Sequence, residues 1–309
     1  MITESIRRIA SYATLLLSFY ALSSGAVRAT DDLQKHGHAV RCRFVREVLV
    51  VVPVKVNGAG PFDFLLDTGT NSTVVAPDLA ARLSLRPADR VVLITVGGSE
   101  VVPRARLGRL AVGEREVSDA EVLVADLGEL RRLDGRISGV LGQNFLSRFN
   151  YLLDYRARRI VFDGDGLMTQ SRGARVSFQE EDGRMIVSAR PAMKSESALR
   201  LVLDSAANGL VIFSATLAGE RLGVEPLGGW GHANSFNGRV RVQMTRLKKL
   251  LIGDETFLDL PLALIGGDAG GEGHAGHGLL PTSIFRSIYF NNEERYILLN
   301  PSQSSDREP

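Results

Sequence analysis

Phe64-Leu65-Leu66-Asp67-Thr68-Gly69-Thr70-Asn71-Ser72-Thr73-Val74-Val75 is the stretch on which the fold turns. An apolar run carries one carboxylate into a tight turn, and a second, β-branched run leaves it. An unpaired buried charge is costly, so an apolar strand that ends in Asp67 implies a use for that charge. Gly69 admits a backbone geometry, or a close backbone approach, that a side chain would block.

The stretch occurs twice. Leu201-Val202-Leu203-Asp204-Ser205-Ala206-Ala207-Asn208-Gly209-Leu210-Val211-Ile212 repeats its order. Asp67 and Asp204 are 204 − 67 = 137 positions apart, and Asn71 and Asn208 keep that spacing. Leu110-Ala111-Val112-Gly113-Glu114 is echoed by Leu250-Leu251-Ile252-Gly253-Asp254, and Gly139-Val140-Leu141-Gly142 by Gly278-Leu279-Leu280-Pro281. Phe145-Leu146 is echoed by Ile284-Phe285. A lone Asp-Thr-Gly is common by chance; two such series in register point to an internal repeat.

Short strands, glycine turns and few helices predict an all-β fold. The expected strands of the first half cover 44–56, 62–66, 91–96, 99–102, 107–112, 117–124, 151–154 and 159–162. A helix is expected at 77–83, with Pro77 suited to a first turn. Residues 126–136 read as a loop, and a short helix runs from 142 through 149. Gly97-Gly98 supplies the positive φ values of a hairpin turn. In the second half, strands are expected at 176–178, 185–189, 199–203, 247–252, 258–265 and 296–299, with a hairpin over 230–242. Helices are expected at 214–221 and 281–287. A glycine-rich loop covers 266–278.

Around Asp67 and Asp204 the pattern resembles the active-site loops of aspartic proteases. That resemblance implies a bilobal architecture, two retropepsin-like β-barrel lobes in tandem with a cleft between them, as in pepsin-like enzymes. It spans about 43–300. The implied domains are a first lobe over 43–165 and a second over 166–300, joined near Asp163-Gly164-Asp165-Gly166. The implied activity is that of an endopeptidase that hydrolyses peptide bonds with a water activated by an Asp67/Asp204 dyad, without metal or other cofactor. Thr68 and Ser205 match hydroxyls that interlock beneath such a dyad, and Gly69, Thr70 and Ala206 complete the loops. Ala206 and Pro281 stand where the family more often has glycine. They favour the alternative of a weak or inactive protease-fold protein that binds peptides in the cleft. Gly97 and Gly98 would form a flap without the tyrosine of pepsin-like enzymes. The Thr70 hydroxyl, absent at the matching Ala207, is expected to donate to Asp67 and make it the more readily ionised of the pair.

Composition bounds the partners. A formal charge of +2, with no basic run interleaved with aromatics, argues against nucleic acid. Peptide or protein substrates remain, and one chain carrying both aspartates is expected to act as a monomer. The single cysteine, Cys42, excludes an intramolecular disulfide. Asp163-Gly164-Asp165-Gly166 lacks the full spacing of a calcium loop, and His274 and His277 lack an ordered second ligand set.

Residues 1–29 read as a signal peptide. Arg7 and Arg8 precede an apolar run over 9–22, and Val27-Arg28-Ala29 offers a cleavage site. The mature chain is therefore expected to be periplasmic or secreted; an uncleaved leader would tether it to a membrane. A loose segment is expected over 30–42 and a frayed tail over 301–309.

Overall fold

Short strands rich in β-branched and apolar residues, set off by glycine turns, pair this chain into an all-β fold. The structure is a computed structural model, and it describes residues 38–96, 98–163, 171–191, 198–213, 224–235, 238–265 and 276–302. The first half contributes β1 (His38–Arg41), β2 (Arg43–Val45), β3 (Leu49–Val56), β4 (Ala59–Leu66), β5 (Thr73–Val75), β6 (Pro87–Thr95), β7 (Gly98–Val112), β8 (Arg115–Val124), β9 (Ile137–Leu141), β10 (Asn150–Asp154) and β11 (Arg159–Asp163). The second half contributes β12 (Arg172–Glu181), β13 (Arg184–Pro191), β14 (Leu199–Asp204), β15 (Leu210–Phe213), β16 (Val224–Ser235), β17 (Gly238–Ile252), β18 (Glu255–Ile265), β19 (Gly278–Pro281), β20 (Ser287–Asn291) and β21 (Tyr296–Ser302).

One strand order is used twice. The first half forms an eight-stranded sheet, β2-β3-β4-β9-β5-β8-β7-β6, and β7 also reaches back to β3. The second half runs β12-β13-β14-β19-β15-β18-β17-β16, with β17 reaching back to β13. That second series belongs to a 13-stranded sheet that continues through β1, β11, β10, β20 and β21. β10, at the end of the first half, pairs with β20 and so joins the two halves in one sheet. Leu152 pairs with Tyr289, its own counterpart at the 137-residue spacing (289 − 152 = 137). A local two-fold axis therefore passes through that pair.

Each sheet buries both faces. On β3, Val50, Val52, Val54 and Val56 enter a main core shared by both halves, whereas Leu49 and Val51 face a second apolar cluster with Leu65, Leu93, Val102 and Val140. On β13, Met185, Val187 and Ala189 enter the main core, and Ile186 lies on the other side with Val202 and Leu279. The repeated glycine turns have a physical cause. Gly113 and Gly253 take φ of +58° and +57°, and a Cβ on them would come within 2.6 Å of Val40 and 2.7 Å of Val176. Positive φ and contact with equivalent strands both demand glycine there.

Several boundaries differ from expectation. His38–Arg41 is a paired strand rather than part of a loose segment over 30–42, because the backbone of β11 is available to it. The 44–56 run breaks at Arg46 and Glu47, both at positive φ, into β2 and β3. The segments at 99–102 and 107–112 form one 15-residue strand, β7. The loop at 126–136 contains a helix, Gly128–Leu133, while the helix after Gly142 is only Gln143–Leu146. After Pro281 there is a single 3-10 turn, Thr282–Ile284, and β20 takes over at Ser287. Residues 301 and 302, expected in a frayed tail, belong to β21, which extends to Ser302; 303–309 lie outside the described residues. Gly97, Asn237, the expected leader, the glycines of the expected linker, the helix expected at 214–221 and most of the expected glycine-rich loop lie outside the described residues. Among the described residues, no helix is long and apolar enough to cross a membrane.

Candidate active site

Each aspartate stands where a strand ends beside a parallel neighbour. β4 runs parallel to β9 with Leu66 opposite Leu141, and Asp67 follows. β14 runs parallel to β19, with Leu203 opposite Leu280 and Asp204 opposite Pro281. The two turns meet. Thr68 N–H donates to Ser205 Oγ (3.1 Å), and Ser205 N–H donates to Thr68 Oγ1 (3.0 Å). The Thr68 hydroxyl then donates to the Leu203 carbonyl and the Ser205 hydroxyl to the Leu66 carbonyl, each at 2.8 Å. Thr68 and Ser205 are fully buried. Buried polar groups at this depth are tolerable because every one of them is partnered.

Above this lattice sit the carboxyl groups. Gly69 N–H donates to Asp67 Oδ1 (2.8 Å). Asp204 Oδ1 accepts two amides, from Ala206 (2.7 Å) and Ala207 (2.9 Å). Gly69 lies so close to Asp204 that a Cβ there would come within 2.7 Å of its Cγ.

Burial raises the pKa of both carboxyls, and the negative charge of Asp204 pushes Asp67 up further, to about 8. Two close carboxylates cannot both ionise easily, so one proton is shared by the pair. Two amides reach Asp204 within hydrogen-bond distance and one reaches Asp67, so the charge is better held on Asp204 and the proton on Asp67. This reverses the expected order. Among the described residues the Thr70 hydroxyl makes no bond to Asp67, and Thr70 helps that carboxyl only weakly, through its amide. Backbone donors, which a sequence does not display, outweigh the side-chain hydroxyl.

The first loop rests on residues that the sequence reading passed over. Gln143 Nε2 donates to the Thr68 carbonyl (2.8 Å), and the Gln143 amide to that of Thr70 (2.9 Å). Asn144 Oδ1 accepts from both the amide and the hydroxyl of Thr73. Gly142 N–H donates to the same Thr73 hydroxyl (3.2 Å). In the second half the counterparts of Thr73 and Gly142 are Leu210 and Pro281, so the acceptor and the donor are replaced together. Pro281 is therefore a matched exchange and leaves no orphan amide. Among the described residues the polar cradle of the first loop has no second copy, and only its position beside the repeated Gly-apolar-apolar segment could have pointed to it.

Gly98 begins β7 at φ +130°, and Val96 at the hairpin turn packs against Phe213, Val240, Val242 and Ile265 of the second half. Ala206 packs against the second apolar cluster of the first half. Among the described residues no group of three or more His, Cys, Asp or Glu side chains could hold a metal ion.

Residues 52–145 match the family model described as aspartyl protease. This first-half segment is similar to aspartyl proteases. It contains Asp67 and Gly142, and it stops short of Asp204. Among solved structures, the crystal structure of a retropepsin-like aspartic protease from Rickettsia conorii is similar at 18% identity and a TM-score of 0.30, covering 41% of this chain and 89% of that one. No curated protein matches.

Proposed function

We propose that this chain is an aspartic-type endopeptidase whose dyad, Asp67 and Asp204, comes from a single polypeptide. Asp204 carries the charge and takes a proton from a water held between the carboxyls. Asp67 carries the proton and donates it to the scissile carbonyl oxygen, so hydrolysis needs no covalent intermediate. The observation that carries this reading is the reciprocal hydrogen bonding of Thr68 and Ser205, which locks two aspartate turns face to face. The family match over the first half supports it. The proposal includes lobes over 43–165 and 166–300, an internal duplication, and export to the periplasm or medium behind a leader over 1–29.

The test is cleavage of a diverse peptide mixture by the mature chain, with Asp67→Asn and Asp204→Asn as controls and a statine-type inhibitor as competitor. Loss of all cleavage in each variant, and inhibition of the parent, is expected. Cleavage that survives Asp204→Asn would overturn the single-chain dyad. Peptide binding without turnover would leave a peptide-binding protein of protease fold.

A further inference from the structure

The two halves differ in chemistry at equivalent positions beside their aspartate turns. In the first half Val51 pairs with Leu65, and two residues earlier Leu49 pairs with Val45. In the second half Ile186 pairs with Val202, and two residues earlier Arg184 pairs with Glu181. Leu65 and Val202 are equivalent, since each lies two residues before its aspartate. Arg184 therefore holds the place of Leu49. Side chains alternate along a strand, so Arg184 shares a face with Ile186, away from the main core that takes Met185 and Val187. Leu49 is buried in the apolar cluster against which Ala206 of the second aspartate turn packs. At the matching place a half-buried guanidinium replaces an aliphatic side chain.

The hairpin that carries Arg184 is docked beside the first aspartate turn. Asn71 Nδ2 donates to the Asp182 carbonyl (3.2 Å), and a Cβ on Gly183 would lie 3.2 Å from Asn71 Cβ. The cation is not spent on its neighbour, because the Glu181 carboxylate pairs with Arg200. Among the described residues no carboxylate lies within ion-pair distance of Arg184. Its positive charge acts on both Asp67 and Asp204.

We infer that Arg184 is a specificity-determining residue, which binds a carboxylate of the peptide substrate beside the dyad. A planar guanidinium with several fixed donors suits a carboxylate better than a neutral group. It would also offset the repulsion between that carboxylate and the charge held by the dyad. The inference rests on the endopeptidase reading only for its readout by cleavage. The anion could be an Asp or Glu side chain or a C-terminal carboxylate.

Cleavage of a diverse peptide library by the parent chain, Arg184→Lys and Arg184→Glu, with free and amidated C-termini, tests it. Binding of the same library to the Asp204→Asn variant, alone and combined with Arg184→Glu, runs beside it. For the parent, cleavage or binding enriched about tenfold for an acid at one fixed position is expected, retained in part by Arg184→Lys and reversed by Arg184→Glu. If amidation alone removes the preference, the C-terminal carboxylate is the ligand. Cleavage with no acidic preference, unchanged by Arg184→Glu, overturns the inference and leaves the endopeptidase reading standing. Acid-selective binding that Arg184→Glu abolishes, without cleavage by any variant, overturns the endopeptidase reading and leaves the inference standing. Neither cleavage nor acid-selective binding overturns both.

Discussion

The Asp204 carboxyl group occupies the space that a side chain at residue 69 would need, with Cγ 2.7 Å from the position of a Cβ on Gly69. Gly69→Ala must therefore move either the first turn or the Asp204 carboxylate. Displacement of a reacting group by about 1 Å costs roughly a hundredfold in rate. A fall of that order in kcat is expected for Gly69→Ala, with the fold retained by circular dichroism. Ala206→Gly keeps both amides on Asp204 and should leave kcat within a few-fold of the parent. Equal losses in the two variants would contradict the asymmetry of the turns.

Thr68 and Ser205 each donate and accept in a site without access to water. Thr68→Val leaves the Ser205 amide without its acceptor and removes a bond to Leu203. A buried unpaired donor costs about 1–3 kcal/mol, so a loss of that size or somewhat more is expected in denaturant unfolding. Ser205→Ala should cost a similar amount. The single variants break different bonds, two each, but both hydroxyls fix the same pair of turns, so turns loosened by one substitution relax around the other and the double variant should lose less than the sum. Strict additivity would show that the two turns are held by something else.

Asp67 is raised from 3.8 to about 8 in the fold. Between those values the folded chain binds more protons at this site than the unfolded chain, so stability falls as pH rises from about 4 to about 8 and this contribution then levels off. Asp67→Asn removes the titration. Its melting temperature should gain on that of the parent progressively across this window. The gain should be small at pH 4 and largest above pH 8. Parallel curves for the two proteins across the window would refute the raised value. For the parent, kcat/KM should fall as the proton on the pair is lost near pH 8, a property of the coupled pair.

Val96 ties the first hairpin turn to Phe213, Val240, Val242 and Ile265 of the second half. Val96→Asp places a charge against this apolar surface. Faster amide exchange over 91–102, with little change in the exchange of β4 and β14, is expected by mass spectrometry. A rise in KM exceeding the change in kcat should accompany it. Unchanged exchange in the hairpin would mean that the Val96 contact does not hold it down.

How far the sequence could be read depended on whether the relevant groups were side chains. The apolar runs, the spacing of Asp67 and Asp204, and the hydroxyls of Thr68 and Ser205 are written in side chains, and they led to an all-β, two-lobed fold. The β3/β13 and β4/β14 pairs follow from alternation. The join between the halves was less visible, because β10 and β11 look like any terminal hairpin until β20 is seen to share an edge with β10. The preference of the pair for charge on Asp204 depends on the amides of Ala206 and Ala207, which any residue would supply. Gln143 and Asn144 followed a glycine in a segment read only as a short helix, and their bonds depend on a turn far earlier in the chain, as the Asn144–Thr73 separation of 71 positions shows. Arg184 gave no signal of its own until strand register gave it the position equivalent to Leu49.

The pairing of β10 with β20 also constrains how the chain comes to be made. β10 gains a neighbour on one side as soon as β11 has been synthesised, since the two form a hairpin. Its other edge waits for residues 287–291, and β12 waits for β21 at the end of the described chain. At ordinary rates of synthesis the interval for β10 is on the order of ten seconds. Throughout that time a nascent first half presents an apolar strand, Tyr151-Leu152-Leu153, with an open backbone edge, which is a template for pairing with another chain. A growing chain of this architecture therefore has reason to be kept apart from its copies until the last strand is free.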